Sequence, residues 1–231
     1  MSKKKDMYYS NTTDLLSKGI NPLSHTYQSI FDASEKKITV NVDDSSINTL
    51  KDNGYKMCFA KKIGNFNYNV VWQSYTDFLG INTFSWVPQY SVFGSNRFED
   101  KVTVEVSCKP VNIGLGETTT LSKNGILSPA VTGGSETTIT IENKYGSIHP
   151  GVNQLSIGLQ GEQVATSIYV AEKAAIEGTI ELTPIEKVLV WFEQDIETGT
   201  MFSTVRSKAV EVDLTFNKSC SLLYDGSWKT V

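Results

Sequence analysis

The sequence predicts an all-β fold: a β-sandwich of Greek-key or jelly-roll type, preceded by an N-terminal arm with short helical turns. Three observations carry this prediction. Apolar and polar residues alternate with a period of two from Ile38 onward, as in half-buried strands. Clusters of Gly, Asn, Asp and Ser punctuate the alternating runs at short intervals, the pattern of a sandwich or barrel. No apolar pattern of helical period and length follows residue 37; the best helical candidate there, Glu172 to Glu177, offers one or two turns.

The arm, residues 1–36, is rich in Ser, Asn and Thr yet keeps Tyr8, Tyr9, Leu15, Leu16, Tyr27, Ile30 and Phe31. Asn11 or Thr12 can cap a turn or two that stops at Gly19. Residues 37–231 form the β-sandwich domain. Clean alternation marks strands over Ile38–Val42, Val102–Val106, Thr137–Ile141, Thr179–Leu182 and Val210–Leu214. Asn69–Trp72 and Val188–Phe192 are continuous apolar runs, as in strands buried on both faces. Turns are expected at Asp52–Gly54, Gly94–Asn96, Gly133–Ser135, Asn143–Gly146 and Glu197–Gly199. The order of alternating and Val-Trp segments recurs loosely in the two halves. It reads either as two related sheets or lobes packed together or as chance recurrence of similar strands.

Apolar residues at 39% and charged residues at 20% suit a chain with a real core. A net charge of −4 and a basic run confined to Lys3–Lys5 argue against nucleic acid as partner. No run of eighteen apolar residues predicts a membrane span, and Met7–Thr12 is too polar for a signal peptide, so the expected compartment is the cytoplasm. Cys58, Cys108 and Cys220 are odd in number and widely spaced, which fits neither a disulfide framework nor a zinc site. Cys58 and Cys108 read as small apolar strand residues. Cys220, in a polar stretch, reads either as a structural residue or as an exposed odd thiol able to cross-link copies of the chain.

Nothing in the sequence selects a reaction. With two histidines and no Gly-x-Ser-x-Gly, no catalytic triad can be assembled. His149 precedes Pro150-Gly151 and reads as a turn histidine bonded to the backbone, or more sharply as a pH sensor. Gly114-Leu115-Gly116 lacks the third glycine and helix of a phosphate cradle. Glu193, Asp195 and Glu197 alternate, but Gly199 falls one place late and Thr204 stands where a calcium loop needs a bidentate Glu. No catalytic residue, metal or cofactor is therefore expected.

The most distinctive segment, residues 68–94, holds eight aromatics. Most suit the core of a strand pair, while Tyr75, Trp86 and Tyr90 are expected to lie outside, where they would suit sugar stacking or a protein interface. That segment, together with Thr118–Leu121 and Asn143–Gly151, resembles a set of β-rich proteins shared by bacteria and some filamentous fungi, among which we count octin, a protein that forms dense intracellular crystals. The resemblance spans roughly residues 38–216 and implies self-assembly in the cytosol; it carries no functional residue with it.

Two expectations follow. The first is a non-enzymatic structural protein that assembles with copies of itself into a crystal, inclusion or filament, with Tyr8, Tyr9, Leu15, Leu16 and Cys220 as self-association candidates. The second is a lectin-like or membrane-active, toxin-like binding module that engages carbohydrate or a membrane surface through Tyr75, Trp86 and Tyr90.

Overall fold

A computed structural model describes residues 35–157, 161–204, 206 and 208–231, so the arm and its candidates Tyr8, Tyr9, Leu15 and Leu16 lie outside the described residues. The chain is all-β and sandwich-like, with one short helix among the described residues. The described strands form four four-stranded sheets. The first is β16 (Trp228–Thr230), β15 (Ser219–Tyr224), β1 (Lys36–Val42) and β4 (Ile81–Trp86), in that order. The second is β14 (Val210–Asp213), β13 (Pro184–Glu193), β2 (Lys56–Ile63) and β3 (Gln73–Tyr75). The third is β11 (Gln163–Val170), β10 (His149–Ile157), β5 (Tyr90–Ser95) and β6 (Val111–Ile113). The fourth is β12 (Gly178–Leu182), β9 (Ile139–Asn143), β7 (Glu117–Leu121) and β8 (Val131–Thr132).

The pairing is nested. β1 pairs with β15, β2 with β13, β5 with β10 and β7 with β9, so the second half of the chain folds back along the first. β12 departs from strict nesting, returning after β10 and β11 to pair with β9. The β1–β15 and β7–β9 pairs are parallel, so these pairs need long connections rather than hairpins.

Alternation sets the faces. Ile38, Val40 and Val42 of β1 point into a core cluster that draws residues from all four sheets. The second sheet is buried on both sides. Met57, Phe59, Val188 and Val190 face that core, where Phe59 meets Phe84 of the first sheet at a ring-centroid distance of 4.4 Å. Cys58, Ala60 and Trp191 face the other way, under a layer that includes Val71, Ile196 and Phe202. The run 188–192 is thus a doubly buried strand, as its composition predicts. The run 69–72 is equally buried but forms only one isolated bridge, Val70 to Met201.

Several expectations are corrected. Residues 102–106 form no strand: Val102 and Val104 pack against Phe93, Val170 and Met201 while Val106 is exposed, and one bridge, Thr103 to Thr200, stands in place of a ladder. A helix, α1 (Asp44–Asp52), follows residue 37 after all. Asp43 caps it, its carboxylate accepting from the Ser45 N–H at 2.7 Å and the Ser46 N–H at 3.2 Å. Glu172–Glu177 is not helical, and His149-Pro150-Gly151 opens β10 rather than making a turn. Of the loosely matching segments in the two halves, Thr83–Ser85 lie in β4, whereas Met201–Ser203 form no strand.

Candidate functional site

A buried polar cluster that sequence reasoning missed lies where β2, β4, β5, β10 and β13 meet. Lys61 lies on β2 with its side chain 1% exposed. Its ammonium donates to Gln154 Oε1 at 2.7 Å and sits 3.4 Å from Glu186 Oε2. The remaining directions are filled by the ring faces of Trp72, Trp86 and Tyr90, with the ammonium 5.3, 5.1 and 5.6 Å from their centroids. Glu186 is held in turn: the Trp86 indole N–H donates to its Oε2 and the Tyr90 hydroxyl to its Oε1, both at 2.8 Å.

Local backbone geometry aims these groups. Between Ile185 and Val188 the β2–β13 register slips, Ile185 standing opposite Lys62 and Val188 opposite Lys61. Glu186 and Lys187 are therefore extra residues in a bulge, and the bulge turns the Glu186 carboxylate inward. Gln154 is fixed by donating to the backbone carbonyls of Val87 and Gln89 at 2.8 and 3.0 Å.

Electrostatics follow from this geometry. Burial pushes the Lys61 ammonium below its ordinary pKa, and Glu186 offsets only part of that. Burial alone would raise the Glu186 carboxyl, but Lys61 and the donations from Trp86, Tyr90 and Lys61 outweigh it and hold the group below the usual carboxylate value. Tyr90 is pushed well above its ordinary value by burial and by the facing carboxylate. Donors and acceptors are matched and the cluster is closed, so its chemistry joins the first three sheets at one point.

This cluster explains a correction at the aromatic candidates. Trp86 and Tyr90 are buried, at 5% and 4% exposure, because their polar atoms are committed to Glu186. Tyr75 is 36% exposed and remains at the surface. It stands at the seam where β3 and β4, edge strands of two stacked sheets, approach. Its ring lies 5.0 Å from that of Phe84, tilted by 32°. A depression of about 210 Å³ opens there, lined by Tyr75, Thr76, Asp77 and Phe84 among others.

Cys220 is half-buried on β15, opposite Ile38 of β1, packed in part against the core and lining a surface depression with Glu211 and Asn217. Burial raises its thiol pKa. Cys58 is buried on β2, its thiol pushed up to about 12 by burial and by Glu193. Cys108 is half-buried in an irregular segment, its sulfur accepting from the Gly94 N–H at 3.1 Å. His149 Nδ1 lies 2.7 Å from the Ala171 carbonyl. Two of the three alternating acids are engaged: Glu193 meets Arg206 at 2.8 Å and Glu197 pairs with Lys56. Among the described residues no three His, Cys, Asp or Glu side chains gather as a metal site, and no helix is long and apolar enough to cross a membrane. No family model, no curated protein and no solved structure matches the chain.

Proposed function

We propose that this protein is a structural, non-enzymatic component that associates with copies of itself by pairing exposed strand edges. The observation that carries this reading is the character of two edges. β4 (Ile-Asn-Thr-Phe-Ser-Trp) and β11 (Gln-Val-Ala-Thr-Ser-Ile-Tyr-Val) are edge strands of six and eight residues without a charge or a proline. Edge strands of monomers are usually guarded by charge, proline or shortness, since an open ladder recruits another chain. Other edges here are guarded in those ways. β3, β6, β8 and β16 span two or three residues, and β14 carries Glu211 and Asp213, both paired with Lys187.

Only the outer part of β11, residues 163–167, is open, because Ile168, Tyr169 and Val170 are buried and the Asn69 amide donates to the Val170 carbonyl at 2.6 Å; this stretch and β4 also carry apolar contact area. Ile81 at the start of β4 is 70% exposed, and Val164 on β11 is exposed as well. The edges belong to different sheets, so one molecule can engage two neighbours by different surfaces. Head-to-tail contacts of that kind extend into filaments or lattices unless the rotation closes a ring. A net charge of −4 opposes close approach only weakly. Assembly in the cytoplasm belongs to the same proposal.

Lysine placed at exposed positions of each edge tests it. Thr83→Lys and Ala165→Lys together should convert large particles into monomers in sedimentation velocity, with circular dichroism unchanged. Wild-type protein that sediments as a monomer at every concentration would end the proposal. Deleting residues 1–34, which spares the Lys36 contacts to the Leu214 and Asn217 carbonyls, separates a contribution of the arm from that of the edges. Particles that persist without the arm but vanish in the double lysine variant are the expected result.

A further inference from the structure

We propose that the depression at the β3–β4 seam is a binding site for a single pyranose sugar, a function distinct from edge pairing although the site shares strand β4 with it. The floor is aromatic and fixed. Phe59, buried in the core, supports Phe84 at 4.4 Å and meets Tyr75 edge-on at 6.2 Å. Tyr75 and Phe84 are thereby held as a shallow platform, one ring half-buried and the other 36% exposed. Such a surface stacks against the C–H face of a sugar ring, gaining dispersion contacts while the sugar hydroxyls stay wet.

The wall is polar, and its groups divide into fixed and available. Asn82 is fixed. Its Oδ1 accepts from the Leu79 N–H at 2.7 Å and its amide donates to the Leu79 carbonyl at 2.6 Å, which clamps the 76–80 loop. Ser74 is fixed too, its N–H donating to Thr198 Oγ1 at 2.9 Å. The clamped loop sets Thr76 and Asp77 on the rim of the depression. Both are exposed, and the Asp77 carboxylate has no hydrogen-bond or ion-pair partner among the described residues. A carboxylate beside an aromatic face is the donor-seeking group that two neighbouring sugar hydroxyls satisfy together, and charge-assisted bonds of this kind are the stronger ones.

Size and charge select among ligands. About 210 Å³ is below the roughly 300–1,000 Å³ of sites for drug-sized ligands, which leaves room for one ring. A nucleotide could stack on the platform, but its phosphate would meet the Asp77 carboxylate. A neutral ring bearing vicinal hydroxyls has no such conflict.

Saturation-transfer NMR on the full chain tests the site, with the methyl glycosides of glucose, galactose, mannose and N-acetylglucosamine as probes. At least one should receive saturation. Tyr75→Ala should abolish the signal, Tyr75→Phe should keep it, and Asp77→Asn should weaken affinity about tenfold or more. Absence of transfer to all four glycosides overturns the proposal. So does a signal unchanged in both Tyr75→Ala and Asp77→Asn; Asp77 is exposed, so its substitution tests the site even if the tyrosine variant misfolds.

Discussion

Removing the Lys61 ammonium leaves the Glu186 carboxylate among Trp86 and Tyr90 with its donors but without a countercharge. Removing Glu186 leaves a lysine in the interior with Gln154 and three ring faces. Breaking a buried pair from one side costs about 3–5 kcal/mol, whereas replacing both partners by apolar groups of similar shape is often neutral. Lys61→Met and Glu186→Leu should therefore each lose about 3–5 kcal/mol in urea denaturation, and the double variant should lose clearly less than their sum. The cluster was not legible in the sequence. Lys61 stands beside Lys62, and a pair of lysines in a strand normally marks a wet surface. Only the bulge at Glu186 reveals that a carboxylate meets it, and a bulge depends on the partner strand. Trp86 and Tyr90 looked external for the same reason, since nothing local shows where an indole N–H or a phenol finds its acceptor.

The β5–β10 pair owes its close approach to one glycine. Gly151 stands opposite Phe93, whose ring lies over it, and a Cβ at that position would come within 2.2 Å of the ring's Cζ. Phe93 is 1% exposed and has no open space into which to swing. Gly151→Ala should cost about 1–3 kcal/mol in thermal or urea unfolding, while Gly54→Ala, where no atom lies within 4 Å of the added carbon, strains only the turn at φ 69°. At α1 the expected outcome concerns acid. Hydrogen bonds from the Ser45 and Ser46 hydroxyls, with smaller help from their N–H groups, hold Asp43 at about 2, against an ordinary 3.8. A depressed folded value means that the cap contributes fully above the ordinary value and is lost as pH falls through about 2. Amide exchange in α1 should be protected at pH 4 and accelerate near pH 2, and Asp43→Asn should remove most of that dependence. The alternating strands at 38–42, 179–182 and 210–213 were legible because each has one wet face. The helix escaped because Ile47 and Leu50 are its only large apolar residues and only Leu50 is buried, too weak a stripe to show a period. Asp43-Asp44-Ser45-Ser46 carries the cap signal, an Asp followed by two hydroxyl residues, without an apolar stripe behind it to announce a helix.

Across the whole molecule the decisive relation is between early and late strands. Alternation shows which side of a strand is buried but not which strand lies beside it, so the nesting of β1 on β15 and β2 on β13 could not be read from residues 38–63 alone. Long-range pairing of this kind delays folding, because chain closure precedes the contacts that reward it, and folding times in the millisecond-to-second range are expected by stopped-flow fluorescence. Truncation before Ser219 removes the parallel partner of β1 and exposes Ile38, Val40 and Val42. The shortened chain should show no cooperative melting transition, rather than a modestly lowered one. The same arrangement has a practical side. The Val231 N–H donates to the Ser221 carbonyl, and Ser221 stands level with Thr39. A donor dye placed before Lys36 and an acceptor placed after Val231 would thus be neighbours in the native chain and part company on denaturation, giving an optical readout of its folding.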